Sequence, residues 1–110
     1  MNLINLTKQP ITFLDGHDMP LMTIKPSGDV ATISTNSSIE RYISANNFLK
    51  IPVATTTYGE PSELPAEQPD TLYIVSSLYR TRNPRHDLVS PGPLKRDADG
   101  NPIGTQSLIQ

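Results

Sequence analysis

The chain has no cysteine and no tryptophan, and its 110 residues include only two Phe and four Tyr. Without cysteine there are no disulfide staples, thiolate metal sites or cysteine nucleophiles. No stretch approaches the ~18 consecutive apolar residues that a spanning helix requires. The opening MNLINLTKQP has neither the basic start nor the apolar run of a secretory signal, so a cytoplasmic protein is expected. Nine basic and eleven acidic residues give a net charge of −2, which excludes wholesale electrostatic attraction to nucleic acid. Long helices are excluded by eleven prolines, about twice the usual share. Leu, Ile, Val and Phe total 27 residues, enough for a modest core. What remains is one β-rich domain spanning 1–110, with neither the helical periodicity of a bundle nor that of a coiled coil.

Pattern and turn chemistry divide that domain into short strands. Leu3–Thr7 and Ile11–Leu14 are apolar and β-branched, separated by Pro10, which cannot donate to a ladder. Asp15-Gly16-His17-Asp18 has hairpin-turn composition. Leu21–Lys25 and Val30–Thr35 alternate with a period of two around Pro26-Ser27-Gly28, which predicts that these two strands pair antiparallel. Over 36–47, Ile39, Tyr42 and Ile43 have helical spacing behind Asn36-Ser37-Ser38. The segment therefore reads as a short helix or as an irregular connection ending at Asn46-Asn47. Phe48–Tyr58 reads as a strand with Ile51, Val53 and Thr55 on one face, and Pro52 marks it as an edge strand or a bulge. Gly59–Asp70, with three prolines and four acids, predicts a loop held against the body. Thr71–Val75 is the most apolar strand, Ser76–Arg82 a short helix ended by Pro84, and Asp87–Val89 a brief strand. Leu94–Arg96 and Ile103–Ile109 flank the turn Asp97–Asn101. The predicted fold is mainly β, a small antiparallel sheet or open barrel with short helical segments near 38–45 and 76–82.

Charge is unevenly placed. Residues 1–79 carry four bases and eight acids, whereas 80–110 carry five bases and three acids. Arg80, Arg82 and Arg85 fall within six residues, followed by His86, Lys95 and Arg96. Guanidinium is permanently charged and planar, and it grips phosphate or carboxylate with two parallel hydrogen bonds. Arg80, Arg82, Arg85, His86 and Arg96 are therefore expected to form an anion site. Tyr79 would offer a stacking face beside them, as Tyr58 and Tyr73 also could. The alternative is that these bases form a solvated face or pair internally with Glu60, Glu63 and Glu67.

Other constellations are weaker. Asp97, Asp99 and Asn101 open like a calcium loop, but Pro102 stands where glycine is needed and Leu108 where a bidentate glutamate is needed, so a turn is expected. His86-Asp87 with Ser90 suggests a hydrolase, yet adjacent strand residues point to opposite faces and Ser90 lies in Ser-Pro-Gly rather than a nucleophile elbow. No metal or cofactor is expected, because the two histidines lie far apart and the acids of 60–70 occupy a proline-rich loop that fixes no geometry.

Taken end to end, the chain resembles a family of small uncharacterised proteins encoded by tailed phages, prophages and bacteria. The resemblance rests on Ile4-Asn5-Leu6-Thr7 before Pro10-Ile11-Thr12, and on Pro26-Ser27-Gly28 before Ala31. It continues through Ile51-Pro52-Val53, Tyr58-Gly59-Glu60 with Leu64-Pro65, and Tyr73-Ile74-Val75-Ser76. Arg85 with Asp87-Leu88, Pro91-Gly92, Arg96-Asp97 and Pro102-Ile103-Gly104 complete it. The segment 36–50 departs from the pattern by being longer and more polar. The resemblance implies an accessory protein of the host cytoplasm. With the basic cluster, it leads to the expectation of a non-enzymatic binder of an anionic, nucleotide-like small molecule that sequesters a host signal in an anti-defence role. The alternatives are a protein–protein interaction or virion component, or an inhibitor of a host protein. Exposed sheet edges in so small a β domain further predict a homo-oligomer, most simply a dimer.

Overall fold

Pattern-two alternation and frequent prolines produce ten strands and one helix in the computed structural model, which describes residues 1–46 and 48–110. The strands are β1 (Asn2–Asn5), β2 (Ile11–Leu14), β3 (Pro20–Ile24), β4 (Ile33–Ala45), β5 (Leu49–Pro61), β6 (Thr71–Ile74), β7 (Leu88–Pro91), β8 (Leu94–Arg96), β9 (Pro102–Thr105) and β10 (Leu108–Ile109). The helix α1 spans Ser77–Arg82. The fold is mainly β, as expected, and none of the described sheets closes into a barrel.

The central sheet runs β1-β6-β7-β10. β1 lies parallel to β6, with Asn2 opposite Thr71 and Asn5 opposite Ile74, and β6 lies parallel to β7. Only β10 is antiparallel to its neighbour. As expected of a largely antiparallel β fold, β2–β3, β4–β5 and β8–β9 also pair antiparallel; the central sheet adds a parallel core. Its physical reason is the uninterrupted apolar run Leu72-Tyr73-Ile74-Val75, which suits a strand covered on both faces. Tyr73 and Val75 face a cluster with Leu6, Ala31, Tyr79 and Leu88. Ile74 joins Ile11 and Val89, with Leu72 and Phe13 packed alongside. The second side is covered by the sheet β3-β2-β9-β8. The chain passes from β6 to β7 through α1, a crossover of the kind that parallel neighbours require.

α1 forms where the sequence permits and stops where it must. The Ser76 hydroxyl accepts a hydrogen bond from the Tyr79 amide at 3.1 Å, capping the first turn. Arg80 and Arg82 occupy the last turn, where positive charge suits the helix dipole. Pro84 follows and cannot continue the helix.

Asn5 joins the two sheets. It is 1% exposed. Its amide nitrogen donates to the carbonyls of Gln9 (2.9 Å) and Ile24 (3.1 Å), and its carbonyl accepts from the Thr7 amide (2.9 Å) and hydroxyl (2.6 Å).

Two expectations fail at 21–47. β3 pairs with β2 across the Asp15–Asp18 turn, not with the segment after Gly28. Residues 36–45 are neither helical nor irregular but part of β4, which pairs with β5 from Ile33–Pro61 to Ala45–Leu49. The β-branched run in 51–57 supplies a strong extended partner, and cross-strand pairing outweighs the weak helical spacing of three residues. Of that segment, Asn47 lies outside the described residues. β5 itself agrees with its prediction, with Ile51, Val53 and Thr55 sharing a face. Pro52 sits on an edge, since among the described residues β4 and β5 pair only with each other.

The β4–β5 hairpin projects from the body. The radius of gyration is 18.3 Å, against about 13 Å for a compact chain of this length. The accessible surface is 7794 Å², against about 6,000 Å². The root of the arm is held where the Ala31 amide donates to the Leu6 carbonyl (2.9 Å) and where Thr32 and Ser62 exchange hydrogen bonds. No described helix is long and apolar enough to cross a membrane.

Candidate ligand site

Gly59, Glu60 and Pro61 extend β5 instead of opening a loop, whereas 62–70 is a loop that packs on the body, as its proline punctuation predicts, and this packing decides where the basic residues go. The Tyr73 hydroxyl donates to the Ala66 carbonyl (2.9 Å), and the Tyr79 hydroxyl donates to the Ser62 carbonyl. Arg85 follows α1 and is drawn inward to the same loop. Its Nε and Nη2 donate to the two oxygens of Asp87 at 2.6 and 2.8 Å, and Nη2 also donates to the Pro65 carbonyl at 2.9 Å. Glu67 lies 3.8 Å from Nε. Asp87 is 4% exposed. The guanidinium bonded to it holds its carboxyl below the ordinary value, and the same hydrogen bonds raise the Arg85 pKa further. Arg85 is thus an internal counterion, as the alternative reading of the basic segment allowed.

The other basic residues separate. Arg80 is half-buried, and its Nε donates to the fully buried Ser90 hydroxyl at 3.0 Å. No hydrogen bond engages its terminal nitrogens among the described residues. Arg82 leaves the cluster and stacks over the Tyr58 ring, 4.1 Å from the centroid, at the base of the hairpin. His86 is exposed, with Nε2 3.5 Å from Glu67. Arg96 lies on β8 in the other sheet and donates to the Gly100 carbonyl at 2.9 Å. Tyr79 is completely buried in the core and presents no stacking face, which corrects the role expected of it. The cause is the N-cap at Ser76, which fixes the helical phase so that Tyr79 is the residue aimed at the sheet.

Arg80, Arg85 and His86 nevertheless line one open hollow of about 340 Å³ together with Pro84, Leu88 and Gln110. Gln110 was not legible as a site residue. Its side chain reaches the His86 carbonyl at 2.6 Å and forms one wall. Arg82 and Arg96 do not line the hollow.

Asp87 serves Arg85 rather than orienting His86, and Ser90 is occupied by Arg80, so the three do not form a nucleophile–base arrangement here. The Asp97 carboxylate accepts from the amides of Asp99 and Asn101 at 3.0 and 2.9 Å, the geometry of a turn. No group of three or more metal-ligating side chains occurs among the described residues. No family model, curated protein or solved structure matches the chain.

Proposed function

We propose that this chain binds an anionic, nucleotide-like small molecule, without transforming it, in the hollow between α1 and Gln110. One observation carries the reading: Arg80, Arg85 and His86 share a single concavity of about 340 Å³, within the size range of small-molecule sites. Arg80 is the principal contact. Ser90 accepts from its Nε, and its terminal nitrogens are left to donate to a phosphate. His86 supplies a second donor at the rim, and Pro84 and Leu88 supply apolar wall. Arg85, already paired with Asp87, contributes structure rather than net charge. The resemblance to phage-encoded proteins extends the reading to sequestration of a host signal, an anti-defence role.

Isothermal titration against a panel of mono-, di- and cyclic nucleotides tests the proposal. Heat is expected for at least one member, with a loss of tenfold or more in affinity for Arg80→Ala, the size of a charge-assisted hydrogen bond. A silent panel, or binding unchanged in Arg80→Ala, overturns it.

A second reading, a protein–protein interaction or assembly component, is favoured by the exposed apolar side chains of the β4–β5 hairpin. It predicts no small-molecule heat and a loss of partner capture when those side chains are made polar.

A further inference from the structure

β2 and β9 run parallel but pair only at Phe13 and Thr105. Gly104 permits that approach, because a side-chain carbon at its position would meet the Thr12 carbonyl oxygen. Toward the start of both strands the ladder is not continued. Pro10 and Pro102 stand there, and a proline offers no amide hydrogen to carry it on. A cleft of about 460 Å³ lies at this point, with Pro10 and Ile11 on one side and Pro102 and Ile103 on the other. Pro91 of β7 and Leu94 of β8 add to its walls.

Leu94 marks the cleft as core left open. It stands opposite Thr105, and directly opposed residues share a face of the sheet. Thr105 points into the body and is 1% exposed, yet Leu94 is 59% exposed.

The polar chemistry of the cleft is sparse. No charged side chain lines it among the described residues. Its threonine hydroxyls are already engaged, Thr7 with Asn5, Thr12 with Thr23 and Thr105 with the Ser107 carbonyl. Gln9 differs: it is exposed at the rim, and no hydrogen bond engages its side-chain amide among the described residues. An ion entering here would lose its hydration without a countercharge to replace it. Four strands and the 7–10 turn border the cleft, which suits a compact guest rather than an extended chain. Its volume falls within the ~300–1,000 Å³ of small-molecule sites.

We infer that the cleft between β2 and β9 binds an uncharged, ring-containing small molecule. The apolar body of the guest lies against Ile11, Leu94 and Ile103, and its one polar group meets the Gln9 amide. None of these residues lines the hollow at Arg80, so a failed nucleotide titration leaves this site standing.

Nile red, an uncharged dye that brightens in apolar surroundings, tests the inference on the full chain. A saturable response with a single site per chain is expected. Leu94→Trp, which fills the cleft from an exposed position, should lower the affinity about tenfold or more, the worth of one buried apolar contact. Arg80→Ala, and Ile43→Ser combined with Ile51→Ser on the hairpin, should leave it unchanged. A silent dye leaves the cleft to an apolar side chain of another protein and overturns the inference. So does a response that follows the hairpin substitutions instead of Leu94→Trp. A second measurement needs no variant. Methyl spectra of the natural chain titrated with indole, an uncharged ring compound with one N–H donor, should show the Ile11, Leu94 and Ile103 signals moving while Ile43 and Ile51 stay in place. Stationary cleft methyls overturn the inference. Gln9→Ala should weaken indole about threefold, the size of one modest hydrogen bond, and an unchanged affinity overturns the polar contact assigned to Gln9.

Discussion

Arg85 and Asp87, two residues apart in the chain, form a two-pronged ion pair, and the same guanidinium also ties down the 62–70 loop at Pro65. One side chain thereby joins the helix-to-strand crossover to the loop that covers the core. Removing it leaves Asp87 buried without a partner, so Arg85→Ala is expected to destabilise the fold by ~3 kcal/mol, measured by urea denaturation. Arg85→Lys should recover only part of that, because a lysine offers no planar fork.

The pair also sets an acid limit. The Asp87 carboxyl is held below its ordinary value of 3.8 mainly by the hydrogen bonds from Arg85. Its stabilising contribution is complete above that value and is lost as pH falls through the lower native pKa. The stability difference between the natural chain and Asp87→Asn should be constant from neutral pH down to about pH 5 and shrink below about pH 4. Denaturation midpoints at pH 7 and pH 3 check this.

Tyr79 is a core residue with a polar end. Tyr79→Phe keeps the ring among Leu6, Val75 and Leu88 but leaves the Ser62 carbonyl and the Asn83 amide without their partner. A loss of ~1–2 kcal/mol is expected. Nucleotide affinity should be unchanged, which separates this residue from Arg80 in the same titration.

Asn5 satisfies four hydrogen bonds at the seam between the two sheets. Asn5→Ala strands the Gln9 and Ile24 carbonyls, and a loss of ~2 kcal/mol or more is expected in thermal unfolding.

Gly104 sits at φ +150°, and a Cβ there would lie 2.5 Å from the Thr12 carbonyl oxygen, between β9 and β2. Gly104→Ala should cost more than ~1 kcal/mol, whereas Gly16→Ala, with nothing near the added carbon, should be close to neutral. The pair of melting temperatures gives the comparison.

Strand positions were largely legible because alternation and proline are local signals. β2, β3, β6, α1 and the Asp97–Asn101 turn lie within a residue or two of where the pattern puts them. Pairing was not. The antiparallel partner of Leu21–Lys25 is decided by the Asp15–Asp18 turn rather than by Pro26–Gly28, and both have turn chemistry. Ile39, Tyr42 and Ile43 fit a helix by spacing alone, and only the facing Ile51–Thr57 strand settles them as extended. At the candidate site, sequence proximity grouped the arginines, whereas helical phase and loop packing send Arg82 to Tyr58 and Arg85 to Asp87. The unbroken run Leu72–Val75 did carry the signal for a strand covered on both faces, and with it the parallel crossover.

The in-register alignment of Asn2–Asn5 with Thr71–Ile74 means that β1 waits for its neighbour until β2 to β5 have been made. The β4–β5 ribbon needs no such wait. Its strands pair up to Ala45 and Leu49, and local hairpins zip in roughly 1–10 μs. Closing the long loop between β1 and β6 is the slower event by virtue of sequence separation. During synthesis the local β2–β3 and β4–β5 pairings are therefore available before the central sheet, which closes only when β6 and β7 have followed.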